Sequence, residues 1–200
     1  MAEARTLGER LPVHGRGQVG TPWWGMLSLI ATEGVLFAYL IFSYAYLGSQ
    51  RGEAWPPLGS APTLGLAIPA TLALLASSGT AEWGKRSARR GQMRASSLAY
   101  VLTIALGLLF LGLSAKEWAD RPFRLGDNAY SSIYFLLTGT HLMHVVGGLI
   151  ALFVLLIWSL SGRVHGAHDQ HRTLVTLYWH FVDVVWLFVF TTVYLSPRVA

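Results

Sequence analysis

Long apolar stretches separated by short polar connections run through most of this chain. Five of these stretches are long enough to cross a lipid bilayer as a helix, which takes ~20 apolar residues: Trp23 to Leu47, Thr63 to Glu82, Ala95 to Ala115, Ser132 to Ser159 and Leu174 to Leu195. The fourth stretch is longer than a crossing requires, so we expect it to tilt or to protrude from the bilayer. The pattern therefore predicts an all-α integral membrane bundle of five transmembrane helices.

Composition agrees with a membrane protein. Hydrophobic residues make up 53% of the chain and charged residues only 12%. Six of the eight tryptophans fall at the ends of the predicted helices, where membrane interfaces concentrate this side chain. Residues 1–22 contain no apolar core, so we expect a polar tail rather than a signal peptide, followed by a membrane domain over 23–200. The absence of cysteine excludes disulfides, thiolate metal sites and iron–sulfur clusters within this chain.

The basic residues are distributed unequally between the two ends of the predicted bundle. Ten lie in the N-terminal tail and in the second-to-third and fourth-to-fifth connections, whereas five lie on the other side. The positive-inside rule then predicts a cytoplasmic N-terminus and an external C-terminus. Because this sorting accounts for the net charge of +5, the charge gives no reason to expect a nucleic-acid partner.

Ionisable residues within the predicted helices are the strongest indication of function. They are Glu33, His141, His144, His180 and Asp183. Each costs at least ~2.5 kcal/mol at mid-bilayer unless it faces the bundle and finds a partner. The two histidines of the fourth helix are three residues apart, as are His180 and Asp183, so each pair is expected to share a helix face. We therefore expect the first, fourth and fifth helices to meet at polar contacts, with each carboxylate accepting a hydrogen bond from an imidazole.

Three interpretations of these residues remain open from the pattern alone. Histidines and a carboxylate at helical spacing could bind zinc or iron. Two histidines on facing helices could ligate a b-type haem, with Gly147 and Gly148 making room for the macrocycle. The third interpretation is a hydrogen-bonded network that joins the helices and meets lipid headgroups, protons or a partner subunit. Glu33 favours a functional role, because a mid-membrane acid is readily kept neutral and can then carry a proton.

Three segments resemble subunit III of the haem-copper oxidases. They are EGVLFAYLIFSYAYL from Glu33, GTHLMHVVGGL from Gly139, and LYWHFVDVVWLFVFTTVYL from Leu177. A fourth and weaker match, GLLFLGLSAKEW, ends at Trp118 and contains Glu117, which corresponds to a family acid. The resemblance extends over all five predicted helices, although the full-length family form has two further helices at its start.

The resemblance implies a non-catalytic subunit of a terminal oxidase in aerobic respiratory electron transport. We would then expect no redox centre in this chain, haem and copper in partner subunits I and II, and bound phospholipid. Such a complex reduces dioxygen and translocates protons, and the expected location is a bacterial inner (plasma) membrane. Glu33, His141, His144, His180, Asp183 and Glu117 match family positions and would form an intramembrane proton, lipid or structural network.

Two other functions remain as alternatives. A related small subunit accompanies some nitric oxide reductases, so the same resemblance allows an accessory role in such an enzyme. A metal-dependent membrane hydrolase would instead use His141, His144, His180 and Asp183 as ligands.

Overall fold

Five long helices make up nearly all of the computed structural model, which describes residues 20–50, 55–57, 59–161 and 169–198. They are α1 (Thr21–Ser49), α2 (Leu64–Arg89), α3 (Met93–Ala119), α4 (Ala129–Leu160) and α5 (Asp169–Phe190). The last helix continues as a π-helical turn (Thr191–Leu195) and a short 3-10 turn (Ser196–Arg198). All five helices are long and apolar enough to span a membrane. The predicted all-α architecture with five crossings is therefore confirmed. Most of the polar tail, at residues 1–19, lies outside the described residues.

The helix ends extend beyond the apolar stretches that predicted them. Helix α2 continues past Glu82 to Arg89, and Lys85 and Arg86 form ion pairs with Glu82 at 2.5 and 2.9 Å on successive turns. Basic side chains also suit the negative end of the helix dipole. These residues therefore belong to the last turns of α2 rather than to a loop, which leaves a connection of only three residues before α3.

Helix α4 begins three residues before its predicted start because of a capping box. The Asn128 side chain accepts a hydrogen bond from the Ser131 amide at 2.8 Å. The Ser131 hydroxyl in turn accepts one from the Asn128 amide at 3.0 Å. Two backbone N–H groups that would otherwise be unpaired at a helix start are thereby satisfied, which fixes the first turn.

Helix α5 occupies the centre of the bundle and contacts α1, α2 and α4, while α3 packs against α2 and α4. Helix α1 is the peripheral member, since only 11% of its most apolar window is buried. Along α5 and the π-helical turn that continues it, five buried apolar side chains recur every three or four residues, as expected for one face of a helix: Trp179, Val182, Trp186, Val189 and Val193.

Trp179 is the largest fully buried side chain, and it fills a space left by two glycines. A Cβ atom on Gly148 of α4 would lie 2.7 Å from the Trp179 ring, and one on Gly107 of α3 would lie 3.1 Å from it. The indole Nε1 donates a hydrogen bond to Ser77 Oγ of α2 at 2.9 Å. One side chain of α5 therefore contacts three other helices, and this contact requires the small residues.

Tryptophans at the helix ends behave in two ways. Trp24 and Trp83 are exposed on the bundle surface, as interfacial anchors should be. Trp55 instead packs edge-on against Tyr44 of α1 and Tyr130 of α4, with ring centroids 5.5 and 5.2 Å apart. It therefore closes one end of the bundle rather than facing lipid alone.

Polar clusters inside the candidate membrane site

Glu33 and His144 form the polar contact between α1 and α4. His144 Nε2 lies 3.0 Å from Glu33 Oε2, and His144 Nδ1 lies 2.7 Å from the Thr140 carbonyl oxygen. A carbonyl only accepts, so Nδ1 must carry a hydrogen. The Nε2–Oε2 contact then holds one further proton, either on the acid or on the imidazole. The pair has no net charge in either state, which lowers the cost of placing it in a membrane.

The surroundings of this pair are partly open. The Glu33 side chain is 27% exposed and that of His144 16% exposed. The Phe37 ring packs against the His144 ring at 5.0 Å, and the Tyr178 hydroxyl of α5 donates to the His144 carbonyl at 3.3 Å. The expectation that Glu33 pairs with an imidazole where α1, α4 and α5 meet therefore agrees with the structure. Next to the pair, an apolar hollow of about 460 Å³ lies between α1 and α5 and is lined by Gly34, Ala38 and Phe181 among others.

A serine of α2 joins His180 and Asp183, whereas we expected Asp183 to accept from an imidazole where α1, α4 and α5 meet. The Ser78 hydroxyl contacts His180 Nδ1 at 2.8 Å and also donates to Asp183 Oδ2. Because the hydroxyl has a single hydrogen, His180 Nδ1 is the donor in the other contact. On the far side of the ring, His180 Nε2 lies 3.8 Å from Glu82 Oε2. These four residues form a second polar cluster, between α2 and α5.

Sequence reasoning missed Ser78 because a serine inside a helix commonly bonds its own backbone. Its neighbours Ser77 and Thr80 do make such bonds, to the carbonyls of Leu74 and Ser77. The available signal was the run of small residues in α2, Ala76 to Gly79, which allows α5 to approach closely.

His141 has a different environment from His144, although both lie on α4. Its ring is fully buried, and it packs against Phe110 at 5.8 Å and Trp186 at 4.9 Å. Neither ring nitrogen has a hydrogen-bond partner among the described residues. The aromatic rings therefore hold this imidazole by packing.

Glu117 forms a third cluster, at the end of α3. Its Oε1 accepts from the Arg121 guanidinium and its Oε2 accepts from the Tyr194 hydroxyl at 2.9 Å. The guanidinium also lies 5.1 Å from the centre of the Tyr134 ring. The two charged side chains are only 7% and 6% exposed. This buried ion pair connects α3 to α4 and to the end of α5.

The geometry does not converge on a metal or haem site. Across the described ranges, no three His, Asp or Glu side chains come together as a metal ligand set. His144 lies in the first cluster, His180 and Asp183 in the second, and His141 among aromatic rings. The space that we assigned to a macrocycle beside Gly148 is filled by Trp179. The alternative interpretation of these four residues as one metal site therefore has no support among the described residues.

The five long apolar helices and the polar clusters between them define this protein as a helical integral membrane protein. The family model for cytochrome c oxidase subunit III matches residues 10–197. The chain therefore belongs to the cytochrome c oxidase subunit III family, and it is an oxidase subunit III by this membership.

Individual relatives agree with this assignment. A Mycobacterium bovis protein described as "Probable cytochrome c oxidase subunit 3" is 36% identical over 179 residues, which cover 88% of this chain and 86% of the relative. Cytochrome c oxidase subunit 3 of Latimeria chalumnae is 35% identical over 179 residues, and that of Xenopus laevis is 36% identical over 180 residues. Each of these two matches covers 86% of this chain and 68% of the relative.

The Ser78 cluster leads to a testable prediction about assembly. Ser78→Ala should leave the His180 donor and the Asp183 carboxylate unpaired, at a cost of about 1–3 kcal/mol. We expect a lower apparent melting temperature and less chain recovered in the purified complex. Asp183→Ala should have a similar effect, and the double variant should cost less than the sum of the two.

Ser43→Ala is the matched control for this series. The Ser43 hydroxyl bonds only the Tyr39 carbonyl of its own helix, at 2.8 Å, so its loss should leave assembly unchanged. Parental stability of Ser78→Ala would show that the cluster does not hold α2 against α5.

Proposed function

We propose that this chain assembles with subunits I and II of a haem-copper terminal oxidase, which carry the haems and copper, and supports their turnover without a redox centre of its own. The observation that carries the proposal is the family match, which spans all five helices. Membership of this family indicates a chain that works within a larger complex. The nitric oxide reductase and hydrolase alternatives receive no support from the relatives, whose names specify cytochrome c oxidase.

The proposed location is a bacterial plasma membrane. The Mycobacterium relative is covered over 86% of its length, whereas the vertebrate relatives are covered over 68% of theirs. The match to the bacterial relative therefore covers the larger share of the relative, which supports this location. We further propose that the N-terminus faces the cytoplasm, which the ten-to-five distribution of basic residues supports.

The Glu33–His144 pair is the proposed functional part of this chain. Glu33 lies on the peripheral helix, and its pair with His144 of α4 is partly exposed and holds one proton that can sit on either partner. A group with these properties can exchange a proton or bind the polar part of a phospholipid whose chains enter the adjacent apolar hollow. The Glu117 cluster is more enclosed, and the Ser78 cluster joins α2 to α5. The proposed role of both is to hold helices together.

Co-purification tests the assignment to an oxidase complex. The tagged chain, extracted in mild detergent from its own membrane, should recover haem-containing partner subunits visible in an absorption spectrum. Oxygen consumption should be present in the complex and absent from the isolated chain. A chain recovered intact without haem, but with a stoichiometric transition metal and hydrolytic activity, would contradict the proposal. An unrelated tagged membrane protein from the same cells is the control for carry-over of haem.

The orientation can be tested by reporter fusions. A reporter at the N-terminus or in the three-residue connection between α2 and α3 should report a cytoplasmic location. A reporter after Arg198 should report an external one, because an odd number of crossings separates the two ends. A fusion in the α3–α4 connection is the internal control and should also be external. A cytoplasmic C-terminal reporter is incompatible with this arrangement.

The Glu33→Gln variant tests the functional role of the pair. Glutamine preserves the size of the side chain and can donate to His144, so assembly should be unchanged. It cannot exchange a proton. We expect a near-parental initial rate of oxygen consumption that declines faster over repeated turnovers. The measurement is a long oxygen-electrode trace with simultaneous proton release from reconstituted vesicles.

Thr32→Ala provides the matched control for Glu33→Gln. The Thr32 hydroxyl lies on the same helix and bonds only the Leu29 carbonyl, at 2.8 Å. This variant should behave like the parent. If Glu33→Gln also matches the parent in both traces across pH values on either side of neutral, Glu33 is a packing residue.

A further inference from the structure

A second hollow, of about 710 Å³, opens on the bundle surface where α3 ends and α4 begins. Trp118 and Phe135 form part of its wall, with their rings packed edge-to-face at 5.2 Å. Leu136, Gly139 and Met143 of α4 continue the lining away from the connection. Leu136 and Met143 are 53% and 71% exposed. An apolar surface of this kind needs a cover of hydrocarbon or protein.

The lining follows one face of α4 through one leaflet of the membrane. Leu136, Gly139 and Met143 are spaced by three and four residues, so they lie above one another on the helix. Met143 lies fourteen residues after the first residue of α4, or about 21 Å along the axis. The hydrocarbon core is roughly 30 Å thick and the helix extends beyond it at both ends. The hollow therefore runs from the headgroup level to about the middle of the bilayer.

Two arginines stand at the headgroup end of the hollow, and only one has a carboxylate partner. Arg121 is bound by Glu117 beneath the surface. Arg124 is exposed, and none of its guanidinium nitrogens lies within ion-pair distance of a carboxylate in the part of the chain that the structure describes.

The other acids of this segment are already engaged. Asp120 pairs with Lys116 at 3.0 Å. Asp127 accepts from the backbone amide of Arg124 at 2.6 Å. Among the described residues its carboxylate makes no ion pair with the Arg124 guanidinium. An exposed cation that has no carboxylate partner among the described residues therefore lies at the headgroup end of an apolar hollow.

We propose that this hollow binds an anionic phospholipid, with its phosphate on the Arg124 guanidinium and an acyl chain along Leu136, Gly139 and Met143. A guanidinium binds phosphate through paired N–H donors, which gives the headgroup a defined position. A free phosphate ion would leave the apolar lining of the hollow uncovered. The occupant therefore combines a negative headgroup with a hydrocarbon chain. This site is separate from the Glu33 hollow, and the inference rests on the membrane setting of the proposed function rather than on its respiratory role.

Lipid binding by the purified complex tests this proposal. Native mass spectrometry of the delipidated complex, titrated with phosphatidylglycerol, should show about fivefold weaker binding to the chain in Arg124→Gln, the size expected for one basic residue at a membrane surface. Phosphatidylcholine binding should change less. Lys116→Gln is the matched control, since Lys116 is at the same membrane level, outside the hollow and already paired.

Photocrosslinking can locate the bound acyl chain in the parental protein, with no residue substituted. Phosphatidylglycerol with a photoreactive group on its acyl chain should label the α4 segment from Leu136 to Met143 in the parental complex. Labelling elsewhere, equal binding by Arg124→Gln and the parent, or displacement by inorganic phosphate as effective as by lipid would each overturn the proposal. Protection of this segment by a partner subunit would also overturn it, because protein would then cover the hollow.

The same preparation separates the two proposals. Haem in the complex with no lipid at α4 would refute this site and leave the oxidase role standing. Lipid at α4 in a chain that recovers no haem would support this site and refute the oxidase role.

Discussion

The insertion of Trp179 between Gly107 and Gly148 is the contact on which the rest of the bundle depends. It brings α5 against α3 and α4, and its hydrogen bond to Ser77 extends the contact to α2. Between membrane helices there is little hydrophobic driving force, because lipid chains are as apolar as leucine, so close packing and hydrogen bonds determine the arrangement. A large ring in a space left by two glycines, with one hydrogen bond at its edge, provides both.

The position of α5 then determines which polar groups meet. With Trp179 facing α2, α3 and α4, its neighbour His180 and the next-turn Asp183 lie against Ser78 of α2. Tyr178, on the other side of Trp179, reaches the carbonyl of His144 on α4. Three consecutive residues of one helix therefore contact two different polar clusters and the core. Because these neighbouring residues face different helices, the ionisable groups lie in separate clusters and do not form a single metal-binding set among the described residues.

The Glu33 and Glu117 clusters differ in exposure, and this difference separates a functional from a structural candidate. Glu117 and Arg121 are buried together as an ion pair, which suits a fixed link between helices. Glu33 lies on the helix least covered by its neighbours and is hydrogen-bonded to a histidine. Its partly exposed position on the peripheral helix is the reason that Glu33, and not Glu117, is the candidate for a functional role.

The sequence by itself determined the crossings and the family. Bilayer thickness imposes a minimum length on each apolar stretch, and the motifs around Glu33, His144 and Asp183 are specific in order and spacing. Helix periodicity also showed that His180 and Asp183 share a face, but it could not show which helix that face meets. Ser78 became visible only in the tertiary structure, as did the separation of His141 from His144. Periodicity determines which residues share a face of one helix. Which residues of other helices they contact depends on how each helix is oriented by the packing of Trp179 against the glycines.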